Sequence, residues 1–195
     1  MVKVREDYPV TEDGQIDLSC WLERINSRAE LQDPEVLRQA CLFAKEADEI
    51  YEREHLWSTR TSSYLTGLAM ADILADLKLD QDSLIAAVLY RAVREEKTTL
   101  DIITKVFGHD IAHLIDGVLR MATINQIINP NHHNQKFSQS QNQLDNIRKM
   151  LVAMIDDVRI ALIKLAERTF AIRELKDASP ERQKRVAREI FDVYA

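Results

Sequence analysis

The sequence predicts an all-α fold, and three observations carry that expectation. Of 195 residues only 4 are glycine and 4 proline, and aromatic residues make up 6% of the chain against a 46% hydrophobic share, so its apolar content is largely aliphatic and suits helices. Apolar side chains recur at three- and four-residue spacing through most of the chain. Segment after segment opens on Ser, Thr or Asp, whereas no stretch alternates apolar and polar residues as a half-buried strand would.

Taken in order, residues 1–17 read as an irregular arm punctuated by Pro9 and Asp13-Gly14, followed by a short helix around Leu18–Ile25. Asp33-Pro34 supplies a cap and a first-turn proline for a long amphipathic helix ending near His55, with Val36, Leu37, Ala40, Phe43, Ala44, Ala47 and Ile50 along one face. Ser62 and Ser63 can cap a helix running to Leu77, and Asp80 or Asp82 one from Leu84 to Val93. Both are apolar on more than one side, which places them centrally. A further helix begins at Thr98 or Thr99 and stops at Gly108, and another runs from about His109 to Met121. From Asn125 to Asn142 the chain is rich in Asn, Gln and Ser and lacks a period, so it reads as a long loop. Helices over Leu144–Met154 and Val158–Leu175 follow, the second with Val158, Leu162, Leu165, Thr169 and Ile172 on one face. Ser179-Pro180-Glu181 opens a last helix to about Tyr194.

Length and charge bound the function. A chain of 195 residues fits one domain, read as residues 18–195 behind the arm. With 26 basic and 32 acidic residues the net charge is −6, so no global basic field exists to hold nucleic acid and direct nucleic-acid binding is not expected. Cys20 and Cys41 lack metal-type or framework spacing and are expected as small buried apolar residues in a reducing, cytoplasmic setting. No apolar run approaches the roughly 18 residues that would span a bilayer.

Local strings add a family resemblance. Ile163-Lys164-Leu165-Ala166-Glu167-Arg168-Thr169 resembles the I-K-L-A-D-R-T-H-N-M string of the RelA/SpoT family, whose N-terminal domain has the HD-superfamily fold. Asn146-Ile147-Arg148-Lys149-Met150 resembles its N-x-R-K-M segment, and Phe107-Gly108 with Leu114-Ile115-Asp116-Gly117-Val118 its F-G…L-V-x-G-V helix. The matches fall in the family's order between about Val36 and Tyr194 and imply an HD-domain-like helical bundle.

What the resemblance implies about chemistry is a loss. Active hydrolases of the family hold one divalent ion, usually manganese, through a histidine in a Y-I-x-H-P string, an adjacent His-Asp pair and the aspartate of L-A-D-R. In this sequence Gly67 stands at the first histidine, Tyr90 and Arg91 at the pair, and Glu167 at the aspartate. Glycine offers no side-chain donor, and a guanidinium repels a cation where an anionic ligand stood. The family's water-activating Glu-Asp pair becomes Arg94 and Glu95, and the basic string before Y-I-x-H-P becomes Ser58-Thr59-Arg60-Thr61-Ser62-Ser63. The resemblance therefore implies no catalytic residues, no metal ligands and no cofactor for this domain, its manganese site having been lost. Restoring Gly67→His, Tyr90→His, Arg91→Asp and Glu167→Asp is expected to give back the donor types, provided the helices still converge.

This pattern of loss resembles the RelA-type branch, in which a synthetase domain follows. The resemblance implies a parent GTP pyrophosphokinase of the stringent response, moving pyrophosphate from ATP to the 3′-hydroxyl of GTP or GDP to make (p)ppGpp. Its synthetase domain, with magnesium, is expected beyond residue 195 as the partner of this one, and ribosome association through other domains. Two alternatives remain: a metal-dependent 3′-pyrophosphohydrolase with rebuilt ligands, and a metal-free guanine-nucleotide site using Arg91 and Arg94.

Other groups have plainer readings. His109 and His113 are four apart, which is zinc-compatible, but no third ligand is near and a surface pair is the better reading. His132-His133 read as solvated loop residues. Arg182, Lys184, Arg185 and Arg188 read as a solvated face. Asp156-Asp157 reads as a helix N-cap, Glu95-Glu96 as a helix end near solvent, and Met70, Met121, Met150 and Met154 as core filler.

Overall fold

The computed structural model of the chain describes residues 8–54, 62–128, 157–175, 179, 181, 183 and 184. Seven helices are described in chain order: α1 (Leu18–Ala29), α2 (Pro34–Glu54), α3 (Ser63–Asp76), α4 (Gln81–Arg94), α5 (Leu100–Phe107), α6 (His109–Ile128) and α7 (Val158–Arg173). Among the described residues no strand forms, and the arm is closed by an isolated antiparallel bridge between Val10 and Ile16 around the turn at Gly14. The all-α expectation holds. The chain packs as two compact units, Met1–Ala112 and His113–Ala195.

Side-chain caps set the helix starts, satisfying amide groups that have no partner within the helix. Asp17 accepts from the amides of Ser19 and Cys20, Ser62 from Leu65, Asp80 from Ser83, Thr99 from Ile102 and Asp157 from Arg159. Three ends close on left-handed residues that are not glycine, the first being Glu30 (φ 47°) after α1. At Lys78 (φ 56°) the following Leu79 amide reaches back to Leu74, and at Glu96 (φ 61°) the Lys97 amide reaches Ala92, the reversed bonding that turns a chain off a helix.

In the first unit α3 and α4 form the centre and pack on each other more extensively than any other pair. Leu68, Met70, Ala71, Leu74 and Ala75 of α3 are fully buried, as is every residue from Leu84 to Tyr90 of α4, so the two helices apolar on more than one side are the central ones. α2 covers them with Leu37, Ala40, Cys41, Ala44 and Ala47. α1 is fastened to α3 by two carboxylates: Asp72 accepts from Trp21 Nε1 at 3.2 Å and from Arg28 at 2.7 Å, and Arg28 also pairs with Asp76 at 2.7 Å. Phe43 of α2 meets Phe107 of α5 edge to face, with centroids 5.6 Å apart.

In the second unit Gly117 of α6 lets α7 come close, since a Cβ there would lie 2.3 Å from the Ile160 side chain. The buried face of α7 is formed by Ile160, Ala161, Ile163, Lys164, Ala166 and Glu167.

Several expectations are corrected. Residues 125–128 continue α6 and do not begin a loop, because Ile124, Ile127 and Ile128 extend the helical apolar spacing and Asn and Gln do not break a helix; 129–142 lie outside the described residues. On α7 the anticipated apolar face is the outer one, with Val158, Leu165 and Ile172 exposed. The buried stripe contains Lys164 and Glu167, which neutralise each other and so can be buried together. Ile50 of α2 is exposed, and the buried face turns through Asp48 instead. Cys41 is buried as expected, but Cys20, on the outer side of α1, is exposed. The Leu144–Met154 helix, the N-x-R-K-M segment, His132-His133 and most of the last helix, including Arg182, Arg185 and Arg188, lie outside the described residues; at the latter's start the Gln183 amide bonds the Ser179 carbonyl at 2.9 Å.

Candidate functional site

Four of the singled-out positions, Gly67, Tyr90, Arg91 and Glu95, lie on or beside one antiparallel helix crossing. Ser63 and Gly67 are one turn apart on α3, and Val88, Arg91 and Glu95 follow one another along α4 and its cap. Ser63 Oγ donates to Glu95 Oε2 at 2.7 Å at one end, and at the other Gly67 lies directly on the backbone of Val88.

Around that crossing sits a buried charge network. Asp48 of α2 accepts from Ser62 Oγ at 2.6 Å and from the Tyr64 amide at 3.0 Å. Lys97 Nζ donates to Asp48 Oδ1 at 2.8 Å and to Ser63 Oγ at 2.8 Å, lies 3.0 Å from Glu95 Oε2 and sits 5.1 Å from the centre of the Tyr51 ring. Arg91 closes the set through Nη2 on Glu95 Oε1. The side chains of Lys97, Asp48 and Glu95 are 4%, 7% and 9% exposed, so two carboxylates and two cations are compensated almost wholly by one another.

The electrostatics follow from those contacts. Burial alone would raise the Glu95 carboxyl, but the Ser63 hydrogen bond and the charges of Arg91 and Lys97 outweigh it and hold Glu95 below the usual carboxylate range. Burial likewise works against the Lys97 ammonium, and Asp48 and Glu95 overcome it, leaving that group above its ordinary value. A carboxylate held in this way is a poor proton acceptor.

The positions outside the charge network have structural partners of their own. Tyr90 is fully buried, and its hydroxyl accepts from Arg94 at 3.4 Å. Glu167, in the other unit, is paired with the buried Lys164. His109 is exposed at the start of α6, and His113 faces outward one turn on. Among the described residues no group of three or more His, Cys, Asp and Glu converges as a metal site.

Sequence reasoning missed Asp48 and Lys97, read Ser63 only as a helix cap and part of the eroded basic string, and misplaced Glu95. Glu95 is not at a solvated helix end, because the left-handed Glu96 turns Lys97 back towards it and both are drawn under α2. The available signal was Asp48, an acid one turn after Ala44 on the buried face of α2.

A family model described as HD domain matches residues 40–195, most of the chain and all of the crossing just described. The chain belongs to the HD-domain family. This HD domain is 38% identical over 128 residues to a GTP pyrophosphokinase of Myxococcus xanthus, covering 66% of the chain and 16% of that protein. It is 36% identical over 163 residues to the bifunctional (p)ppGpp synthase/hydrolase SpoT of Escherichia coli K12, covering 82% of the chain and 21% of the relative. A GTP pyrophosphokinase of the same organism aligns over all 195 residues at 31% identity, which is 25% of its length. The RelA/SpoT resemblance read from the sequence strings therefore stands, and the HD domain spans a quarter or less of these curated relatives. No helix among the described residues is long and apolar enough to cross a membrane.

Proposed function

We propose that this chain is a catalytically vacant, hydrolase-type HD domain that regulates the synthetase activity of a RelA-type GTP pyrophosphokinase. The observation that carries the reading is the Arg91–Glu95 pair. Arg91 stands where the family's hydrolases carry an acidic metal ligand, and it is engaged with Glu95, the carboxylate remaining at the family's water-activating pair. One substitution thus places a fixed positive charge in the centre and occupies the base.

The residues present do not fit a manganese ion. Gly67 contributes no donor, the Tyr90 hydroxyl is held by Arg94, Arg91 is cationic, and Glu167 is neutralised by Lys164. What the domain keeps is a well-packed helical body, and a body of that kind can bias a neighbouring catalytic domain if its contacts differ between two states. The proposed partner is the synthetase domain of the parent protein, where ATP, GTP or GDP and magnesium are bound. Cytoplasmic residence and ribosome association of that parent belong to the same reading.

Two other readings remain testable: a hydrolase with rebuilt ligands, and a metal-free nucleotide site at Arg91 and Arg94. Titration with guanosine-3′,5′-bis(diphosphate), with and without manganese, separates the three. The proposal expects no metal-dependent binding and no turnover. Binding that requires manganese would support a rebuilt hydrolase, and metal-independent binding abolished by Arg94→Ala would support the nucleotide site; either would overturn the proposal.

A further inference from the structure

We infer that the first ligand position of the HD centre is closed by backbone packing, so that at Gly67 a metal ligand is excluded sterically as well as chemically. The inference rests on the vacant-domain reading above. A Cβ built on Gly67 would lie 2.5 Å from the Val88 carbonyl oxygen, 2.8 Å from its Cα and 3.0 Å from its carbonyl carbon. All three are backbone atoms inside a helix, so no rotamer change can move them away. Gly117 offers a contrast, because the three atoms nearest a Cβ there all belong to the Ile160 side chain, which can rotate or be trimmed.

Relief at Gly67 would require α3 and α4 to separate, and the crossing resists that along its length. One turn away Ser63 is tied to Glu95 at 2.7 Å and to Lys97 at 2.8 Å. On α4 the neighbours Ala86, Ala87 and Leu89 are fully buried, so a shift of the helix would disturb its packing on the other sides as well. The four-position repair anticipated from the sequence therefore fails at its first step. The donor types can be written back, but an imidazole at residue 67 has no room, and a crossing widened to admit it would tear the Ser63–Glu95–Lys97 network.

The test is a sign. In a helix interior Gly→Ala ordinarily stabilises, and at Gly67 it should do the reverse. Thermal unfolding of Gly67→Ala in the whole chain should show a midpoint lowered by about 5 °C or more. Because the obstruction is backbone, adding Val88→Ala should give no recovery, whereas Ile160→Ala should relieve Gly117→Ala. Manganese binding is then followed by the loss of the free-ion electron paramagnetic resonance signal in Tyr90→His/Arg91→Asp/Glu167→Asp, with and without Gly67→His. Neither variant should take up one ion per chain.

A Gly67→Ala midpoint equal to or above that of the parent chain, recovery by Val88→Ala, or stoichiometric manganese in the fully repaired variant would each overturn the inference. Hydrolysis by the unmodified chain would sink the vacant-domain reading while leaving the Gly67 melting result to stand. A neutral Gly67→Ala in an inert chain would sink this inference alone.

Discussion

Replacing Lys97 with methionine removes one charge and little volume, and so isolates the electrostatic role of the buried network. Lys97 Nζ contacts Asp48 at 2.8 Å, Ser63 at 2.8 Å and Glu95 at 3.0 Å, with its side chain only 4% exposed. Breaking a buried ion pair by deleting one partner costs about 3–5 kcal/mol, because the other charge is left without compensation. Arg91 would still hold Glu95, so the loss falls mainly on Asp48, whose other partners in the network are the neutral Ser62 hydroxyl and Tyr64 amide. The lower end, about 3 kcal/mol, is expected. At roughly 2–4 °C per kcal/mol for a chain of this size, the unfolding midpoint should fall by about 6–12 °C.

The same substitution has a pH signature. Glu95 has a folded-state pKa below its unfolded value, so its contribution is present above the unfolded carboxylate range and is lost as pH falls through the lower folded value. Lys97 has a raised folded-state pKa, so its contribution is complete below the unfolded lysine value and is lost as pH rises through the folded one. The network is therefore complete between about pH 5 and pH 10. Urea unfolding followed by circular dichroism should give a constant difference between parent and Lys97→Met across that window, narrowing as pH falls below the ordinary carboxylate range and through the lowered folded-state value of Glu95. A difference below about 1 kcal/mol at pH 7, or one that does not change with pH, would refute the account of the network.

Three further outcomes follow from other parts of the fold. Asp72→Asn should cost about 1–2 kcal/mol in urea unfolding by weakening the hold of Trp21 and Arg28 on α3, less than Lys97→Met because Asp72 is 21% exposed. Lys78→Gly and Glu96→Gly should each add about 0.5–1 kcal/mol to stability, since both residues pay for a left-handed backbone at a helix end that glycine adopts freely. In the folded chain a thiol reagent should label Cys20 rapidly and Cys41 only on unfolding, because Cys41 is fully buried and burial pushes its thiol up, out of reach of thiolate chemistry near neutral pH; mass spectrometry of the labelled peptides checks this.

Much of the fold was legible in the residues because caps and period are local signals. Ser62, Asp80, Thr99 and Asp157 each begin the helix that follows them, and Gly108 ends α5. Which face of α7 turns inward was not legible, because hydrophobicity scored Lys164 and Glu167 as outward residues when their pairing makes them an inward one. The centre divides in the same way. Strings suffice for the family resemblance to assign Gly67 and Arg91 to ligand positions, but that Gly67 lies against the Val88 carbonyl, and that Arg91 reaches Glu95, depends on how two helices cross. Lys97 was invisible for a further reason: its partner Asp48 lies 49 residues away on α2, and no local pattern links them.

The central claim, that this HD domain has no hydrolytic centre, is tested most directly by release of pyrophosphate from guanosine-3′,5′-bis(diphosphate) by the chain with excess manganese, using the Escherichia coli synthase/hydrolase relative as the active control. The account predicts a rate indistinguishable from the protein-free reaction at every manganese concentration. Manganese-dependent turnover that survives repeated purification and is abolished by Glu167→Ala would contradict it.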